Sequence, residues 1–326
     1  MNRKSVIARL PNPIGDLIMT LPALDLLHSK GMLGTVLCQR YASALLAGLP
    51  YQQENVKDGK QEVEQYRNSD CAYGLLMRSS ATTAFRMRRG GLKVIGYKRH
   101  VRSLVLWRGT PYRRNWPRVY EYYRVAQFTA AMLEGREMPK HIDMPPFLHL
   151  PLTQAHNQAA ANALAVAGVQ APYTVVCPVV ANRRTPIHRI YPQFPQLMEQ
   201  LLKEGQTIIC CPGPGEEEEC RSRAPGSVQL NVDLMTLTGI LGGARRLISV
   251  DTGPLHIAAA LGVPGIGIYG DTPPARWSAW GPRSAHVGGL GHWPSVDEIM
   301  RKLDGLDDYW RPAPQPGRLS QVTEAD

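Results

Sequence analysis

The run 246–274 limits the possible folds of this chain more than any other part of the sequence. Residues 247–250 are apolar and lead into residues 251–254, Asp-Thr-Gly-Pro, which are typical of a turn followed by a helix start. Residues 255–261 predict a short helix that is buried nearly all round. Residues 265–269 predict a second buried strand. The run therefore predicts a strand–turn–helix–strand unit of a parallel α/β sheet.

The turn in this unit predicts an anion-binding site. The first N–H groups of a helix have no intrahelical partner, and the helix dipole makes that end positive. We expect the backbone of Thr252, Gly253 and Leu255 to face such an anion, with His256 close by in the first helical turn. The alternative is an ordinary strand-to-helix turn in which Asp251 caps the helix.

The complete run resembles the nucleotide-sugar motif of the lipopolysaccharide heptosyltransferases. The similar residues are Asp251-Thr-Gly-Pro-Leu-His-Ile-Ala-Ala-Ala-Leu-Gly-Val-Pro264 and Tyr269-Gly-Asp-Thr-Pro-Pro274. Those enzymes are inverting glycosyltransferases with two facing Rossmann-like domains, the GT-B architecture. The resemblance, which covers about residues 5–280, implies an α/β fold with an interdomain cleft. It also implies an ADP-heptose donor bound by the second domain, with Asp251 among the donor-binding residues.

The length and composition of the chain favour two globular domains. A single core would be unusually large for 326 residues, and 44% hydrophobic against 20% charged residues is typical of folded proteins. With the linker at 145–151, we predict an acceptor-binding domain over 1–150 and a donor-binding domain over 151–326, which ends in a Pro-rich tail. No apolar run is long enough to span a bilayer, and Arg9 interrupts the apolar N-terminal stretch, so we expect a cytoplasmic protein.

The positive charge is concentrated in the first half. The chain carries a net charge of +10, yet residues 1–150 hold 23 Lys and Arg against 11 Asp and Glu. Residues 78–124 hold 13 basic residues and one acid, Glu121. This bias predicts an acidic partner, which could be nucleic acid, an anionic membrane surface or an acidic acceptor. Nucleic acid is the less favoured of these, because no zinc-finger, RNP-like or helix-turn-helix signature accompanies the charge.

Asp16 lies where the first predicted strand, 5–9, passes into a predicted helix over 17–28 that Pro22 should kink or break. Ligand sites of α/β sheets form at such positions. A carboxylate there can also simply stabilise the helix dipole. The segment Ile14-Gly-Asp-Leu-Ile-Met-Thr-Leu-Pro-Ala-Leu24 is similar to the opening motif of the heptosyltransferases, which implies that Asp16 is the catalytic base.

The resemblance also implies an acceptor rich in carboxylate and phosphate, the Kdo–lipid A inner core. Guanidinium groups pair bidentately with both kinds of anion. We therefore predict clamps for the acceptor in the basic tract, at Arg78, Arg86, Arg99 and Arg102. Peripheral contact with the anionic inner face of the inner membrane is a related expectation.

Two further segments predict contacts to the donor. Residues 178–191 follow a predicted strand and contain basic side chains and hydrogen-bond donors, a combination that suits a pyrophosphate. By the resemblance, Arg189 takes the place of the family's lysine in that loop. The segment 212–219 begins like a dinucleotide fingerprint, but Glu218 occupies the third glycine position. By the resemblance, Glu216 accepts hydrogen bonds from the ribose of the nucleotide.

The predicted reaction is a direct displacement that needs no cofactor. No Asp-x-Asp occurs in the sequence, so no metal site is predicted, and the helix start with Arg189 and His256 would stabilise the leaving diphosphate. Two alternatives remain at this point. One is a nucleotide-sugar epimerase of the same architecture, and the other is a basic nucleic-acid-binding protein.

Overall fold

A computed structural model describes residues 5–77, 80–113, 115–138, 143–180 and 189–307 of the chain. These residues form two parallel six-stranded sheets, each with helices on its faces. The first sheet contains β1 (Val6–Arg9), β2 (Leu33–Cys38), β3 (Gln53–Asn55), β4 (Tyr73–Leu76), β5 (Lys93–Lys98) and β6 (Arg108–Pro111), in the order β3-β2-β1-β4-β5-β6. The second contains β7 (Thr174–Cys177), β8 (Ile208–Cys210), β9 (Val228–Gln229), β10 (Arg246–Val250), β11 (Gly265–Tyr269) and β12 (Ser284–Gly288), in the order β12-β11-β10-β7-β8-β9.

The helices alternate with the strands, as parallel sheets require. Those of the first domain are α1 (Ile14–Ile18), α2 (Leu21–Ser29), α3 (Arg40–Leu45), α4 (Gly59–Arg67), α5 (Ala81–Arg89) and α6 (Arg118–Glu134), with a 3₁₀ helix at His100–Leu104. Those of the second are α7 (Gln154–Val166), α8 (Phe194–Lys203), α9 (Glu217–Arg223), α10 (Leu234–Gly242), α11 (Gly253–Ala260), α12 (Pro274–Trp277) and α13 (Val296–Asp307). Within the described ranges, none of them has the length and apolarity needed to cross a membrane.

The unit predicted over 246–274 is present as β10, α11 and β11. Both strands are buried along their whole length, because they lie inside the sheet with helices on both faces. Pro254 occupies the start of α11, where its missing N–H costs no hydrogen bond. Gly262, with a φ of 71°, follows the end of the helix in the left-handed conformation that favours glycine.

The predicted break at Pro22 is confirmed, and it divides the segment into α1 and α2. Pro22 lies in the first turn of α2, where a proline is tolerated. The hydroxyl of Thr20 donates to the carbonyl of Leu17 over 2.6 Å between the two helices. The break leaves α1 as a separate five-residue helix that begins directly after β1.

The longest helix of the first domain, α6, is not among the predicted elements, because residues 78–124 were described only by their charge. Its buried side chains are spaced by three and four residues, the period of a helix with one face on the core: Val119, Tyr122, Ala126, Ala130 and Leu133. The basic residues at its start hid this period. As a result, the sequence analysis assigned no role to α6.

Each sheet has a switch point where the strand order reverses, and ligands of α/β sheets bind at the carboxyl ends of the strands there. In the first sheet the switch point lies between β1 and β4, so α1 begins at it. In the second it lies between β7 and β10, so α11 begins at it. The two helix starts of interest therefore lie at the two positions that the topology favours for ligands.

The two domains pack together closely. One cluster of buried hydrophobic side chains includes residues from both sheets, and α1 contacts α11 directly. The predicted linker is hydrogen-bonded to the second domain, since the N–H groups of Leu148 and Leu150 donate to the carbonyls of Trp280 and Ala260 over 3.1 and 2.9 Å. The exact boundary between residues 150 and 151 remains a prediction. Residues 308–326, which include the predicted tail, lie outside the described residues.

Candidate active site

The starts of α1 and α11 face each other across the interface between the domains. A Cβ atom on Gly15 would lie 2.7 Å from Cδ2 of His256, and a Cβ atom on Gly253 would lie 3.0 Å from Cβ of Ile14. Such short distances are rarely tolerated, so the two helices can approach this closely only because both positions are glycine. The candidate site is therefore built from both domains.

Asp16 lies in the first turn of α1, and two side chains of α6 fix its carboxylate. Arg118 donates through Nε over 2.8 Å and Tyr122 donates its hydroxyl over 2.9 Å, both to Oδ1 of Asp16. Within the described residues no hydrogen bond occupies Oδ2. The side chain keeps 17% of its surface exposed. Asp16 is thus an oriented, partly exposed carboxylate with one oxygen that no described residue occupies.

Tyr122 is fully enclosed and remains a hydrogen-bond donor. Burial, and next the charge of Asp16, raise the pKa of its phenol well above the ordinary value. The phenol therefore keeps its proton at neutral pH and remains a donor to Oδ1 of Asp16.

A chain of ion pairs links this carboxylate to the second domain. Glu121, buried on α6, pairs with Arg118 on one side and accepts from Nη2 of Arg276 on α12 over 2.9 Å on the other. Arg276 also donates to the hydroxyl of Tyr112 and to the carbonyl of Trp116, over 2.9 and 3.1 Å. The arginine that holds Asp16 is consequently positioned by a contact that crosses the interface.

On the donor side, the carboxylate of Asp251 lies inside the second domain. Oδ2 accepts from the hydroxyl of Thr272 over 2.9 Å and lies 3.3 Å from Nη1 of Arg189, which also donates to the Asp251 carbonyl over 3.0 Å. The N-cap of α11 is Thr252, and its hydroxyl lies 2.8 Å from that of Ser249. The alternative in which Asp251 caps the helix is therefore wrong, because its carboxylate points to Arg189 and Thr272.

His256 is buried at the start of α11 against α1. Burial lowers the pKa of its imidazole, and Asp251 and Asp16 oppose this effect only in part. The ring is consequently neutral at neutral pH. Its Nδ1 has no hydrogen-bond partner within the described residues. A neutral imidazole with one unused ring nitrogen can serve a polar ligand group that enters the interface, so the predicted role of His256 stays open.

Glu216 follows β8 and lies at the N-cap of α9, almost completely buried. Its Oε2 accepts from the N–H of Gly213 over 2.9 Å, so the side chain folds back over its own loop. That Glu216 accepts hydrogen bonds from a ribose remains a prediction. The rest of the predicted pyrophosphate cluster lies outside the described residues: Asn182, Arg183, Arg184, Thr185 and His188.

Three of the four predicted acceptor clamps lie among the described residues, and each contacts a partner within the protein. Arg86 pairs with the buried Glu62 over 2.6 Å on α4, and the Arg99 guanidinium stacks 4.4 Å from the ring centre of Tyr112. Arg102 is buried and donates to the Tyr97 carbonyl over 3.0 Å. Arg78 lies outside the described residues.

Of the described clamps, Arg102 shares a cavity with residues that contact Asp16. It lines a cavity of about 20 Å³ together with Arg118 and Tyr122, the two residues that hold the Asp16 carboxylate. Burial, and next the charge of Arg99, lower the pKa of Arg102. Among the described residues, no group of three or more His, Cys, Asp or Glu could hold a metal ion.

Sequence reasoning missed four side chains of this site: Arg118, Glu121, Tyr122 and Arg276. The first three lie on α6, a helix that the spacing of its buried residues predicts. Arg276 is separated from Glu121 by 155 positions. No local signal in the sequence predicts that contact.

Comparison with known proteins places these features in a family. Residues 65–303 match the model of glycosyltransferase family 9 (heptosyltransferase). Lipopolysaccharide heptosyltransferase 1 of Pseudomonas aeruginosa is 31% identical over 98 residues, which span 28% of this chain and 28% of that protein. Lipopolysaccharide heptosyltransferase 1 of Escherichia coli K12 is 40% identical over 72 residues, which span 21% of this chain and 23% of that protein. The matched segments thus cover less than a third of these relatives.

Solved structures match over nearly the whole chain. The structure of E. coli ADP-heptose lipopolysaccharide heptosyltransferase II has a TM-score of 0.76 at 16% identity and covers 94% of this chain and 99% of that one. E. coli heptosyltransferase WaaC with ADP has a TM-score of 0.71 at 18% identity and covers 93% of this chain and 99% of that one. At these identities the likeness shows the fold, so the predicted GT-B architecture is confirmed. Because the family model covers well over half of the chain, this protein belongs to glycosyltransferase family 9, the heptosyltransferase family.

Proposed function

We propose that this protein transfers a heptose from ADP-heptose to an anionic lipopolysaccharide precursor, with inversion at the anomeric carbon and Asp16 as general base. The observation that carries the proposal is the position of Asp16. Its partly exposed side chain belongs to α1, which contacts α11 at the interface between the domains. Family membership supports the reaction class, and among the similar structures is WaaC with ADP-2-deoxy-2-fluoro heptose.

In the proposed reaction, an acceptor hydroxyl oxygen attacks the anomeric carbon of the donor sugar while its proton passes to Oδ2 of Asp16. The bond from that carbon to the β-phosphate oxygen breaks, and its electron pair leaves with ADP. Arg118 and Tyr122 hold Oδ1, so the free oxygen keeps its direction during the transfer.

The negative charge that develops on ADP needs stabilisation on the other side of the site. The first N–H groups of α11, with Arg189 and the neutral His256, would supply it. This set can act without a metal ion, so we expect turnover to persist in the presence of EDTA. We also propose that the protein works in the cytoplasm, where its acceptor would lie at the inner face of the inner membrane.

The test of the reaction uses the purified protein with ADP-heptose and a Kdo–lipid A acceptor. We expect ADP release only when both substrates are present, together with an acceptor that gains the mass of one heptose. A new heptose epimer formed without acceptor would instead assign the protein to the epimerases. Release of ADP at the same rate without acceptor, with no change of the sugar other than hydrolysis, would also contradict transfer.

The donor assignment is tested by calorimetric titration with ADP, UDP and GDP. We expect ADP to bind most tightly, and Glu216→Ala to weaken ADP binding by about 1–3 kcal/mol, the range for losing a charged hydrogen-bond partner. Glu218→Ala is the matched control, because Glu218 lies on α9 and is exposed. Equal affinity for ADP and UDP would contradict an adenine-specific donor site.

A further inference from the structure

One face of the first domain is at once apolar and basic. Phe85 on α5 is 58% exposed, and Val101 and Leu104 on the 3₁₀ helix are 70% and 80% exposed. The 3₁₀ helix packs against α5 and β5, which brings these side chains to the same face of the sheet. We call the surface formed by α5, the 3₁₀ helix and the segment 107–108 the α5 surface.

The 3₁₀ helix has the reverse of the usual distribution of polar and apolar side chains. Its arginine, Arg102, is buried and bonded to the Tyr97 carbonyl, while Val101 and Leu104 face outward. Valine and leucine are normally among the most buried residues, and arginine is among the most exposed. With Arg102 turned inward, the apolar side chains of this helix face outward. Exposed apolar groups that occur together mark interaction surfaces.

Exposed cations lie on α5 and at the starts of the two strands on either side of the 3₁₀ helix in the chain. Arg88 and Arg89 end α5, Lys93 begins β5 and Arg108 begins β6, and all four are exposed. They make no ion pair with a carboxylate of the described residues. Lys93 and Arg108 each lie 5.1 Å from the ring centre of Trp107, which is itself partly exposed. The α5 surface thus combines an indole, aliphatic side chains and cations.

The positive charge of this surface is not neutralised from within its own segment. Glu121 is the single acid in residues 78–124, and it is buried between Arg118 and Arg276. Its charge is used inside the protein, and the segment presents no carboxylate on the described part of its surface. A large excess of exposed positive charge selects an anionic partner.

We propose that the α5 surface docks on an anionic lipid bilayer. Phe85, Val101 and Leu104 enter the interfacial layer, Trp107 lies at the level of the headgroups, and the surrounding Arg and Lys contact lipid phosphates. A nucleic acid would use the cations but offers nothing for the exposed valine and leucine, and for this reason the bilayer is the better match. This inference stands on the surface alone and does not depend on the chemistry of Asp16.

The experiment is flotation of the full-length protein with phosphatidylcholine vesicles, with or without phosphatidylglycerol, over a series of salt concentrations. We expect binding to the anionic vesicles that weakens as salt increases. The double variant Val101→Ser/Leu104→Ser should lower the partition coefficient by about tenfold or more, because it removes apolar area from the inserted face. Val166→Ser is the matched control, since this exposed valine lies on α7 in the second domain.

Three results would overturn the proposal. The parent protein could fail to bind anionic vesicles, the double variant could bind them as well as the parent does, or a random DNA duplex could compete the protein off the vesicles at lower concentration than anionic lipid does. Titration of the same variants with ADP shows separately whether the donor site is intact. Because both substituted side chains are exposed and belong to the first domain, the affinity for ADP should not change.

Discussion

Asp16 and Asp251 lie at the two switch points of the molecule, each between the end of a strand and the first turn of a helix, and each is paired with an arginine. Their surroundings differ. The Asp16 side chain is 17% exposed and has one oxygen without a protein partner among the described residues, whereas the Asp251 side chain is 5% exposed and is held by Thr272 and Arg189. The same residue type at comparable positions thus keeps an unoccupied oxygen in one domain and is enclosed by protein partners in the other.

The origin of the arginine also differs between the two sites. Arg189 belongs to the same domain as Asp251 and needs nothing from the other domain to reach it. Arg118, by contrast, is held through Glu121 by Arg276 of the second domain. The orientation of Asp16 therefore depends on how the domains meet, while that of Asp251 does not.

The largest expected effect is a loss of turnover when the Asp16 carboxylate is removed. Asp16→Asn keeps the shape of the side chain but removes the proton acceptor, so kcat should fall by about 10²- to 10⁴-fold while ADP affinity stays near that of the parent. Asp70→Asn is the control, because this exposed carboxylate precedes β4. It therefore lies at the amino ends of the strands, whereas Asp16 follows the carboxyl end of β1. Near-normal turnover of Asp16→Asn would reduce Asp16 to a helix-start carboxylate.

The free energy of unfolding should also differ between the two aspartate variants, and here the larger loss is expected at Asp251. Asp251→Asn weakens a buried, charge-assisted contact with Arg189 and Thr272, so the free energy of unfolding should fall by about 1–3 kcal/mol in urea denaturation. Asp16→Asn, measured in the same way, should lose less, because its carboxylate is partly exposed. An equal loss of unfolding free energy in both variants would show that the difference in burial between the two carboxylates does not affect stability.

Gly15→Ala tests whether the two helix starts must touch. The added methyl group would lie 2.7 Å from the ring of the buried His256, so we expect a loss of stability of about 1–3 kcal/mol together with lower kcat. Gly305→Ala in α13 is the control, since no atom lies within 4 Å of its added Cβ, and it should be neutral or slightly stabilising. Full activity and stability of Gly15→Ala would mean that the helices can separate at no cost.

The smallest effect is a pH dependence from His256. Burial lowers the pKa of this imidazole, so below the ordinary histidine pKa of about 6.5 the unfolded chain takes up a proton that the folded protein resists. Stability should be complete above that pH and should fall as the pH decreases, by at most about 1.4 kcal/mol per pH unit.

His256→Gln should flatten this slope between about pH 7 and 5, measured as the urea midpoint against pH. His286 contributes a similar slope of its own, because burial lowers its pKa as well, and His286→Gln serves as the comparison. An unchanged slope in His256→Gln would show that the histidine takes up its proton freely inside the folded interface.

The sequence by itself determined the local units and the identities of the residues at the two helix starts. The β10–α11–β11 unit, the break at Pro22 and the position of Asp16 after β1 all followed from patterns of a few adjacent residues. Such patterns are readable because hydrophobic period, proline and glycine act on the backbone within one or two turns.

Only the tertiary structure decided which side chains meet. Arg118 and Tyr122 reach Asp16 across 102 and 106 positions, and Arg276 reaches Glu121 across 155. The tertiary structure also decided that Arg86 pairs with Glu62 and that Arg102 is buried. The physical reason is that an ion pair depends on the distance between two groups in space, and the packing of sheets and helices sets that distance independently of separation along the chain.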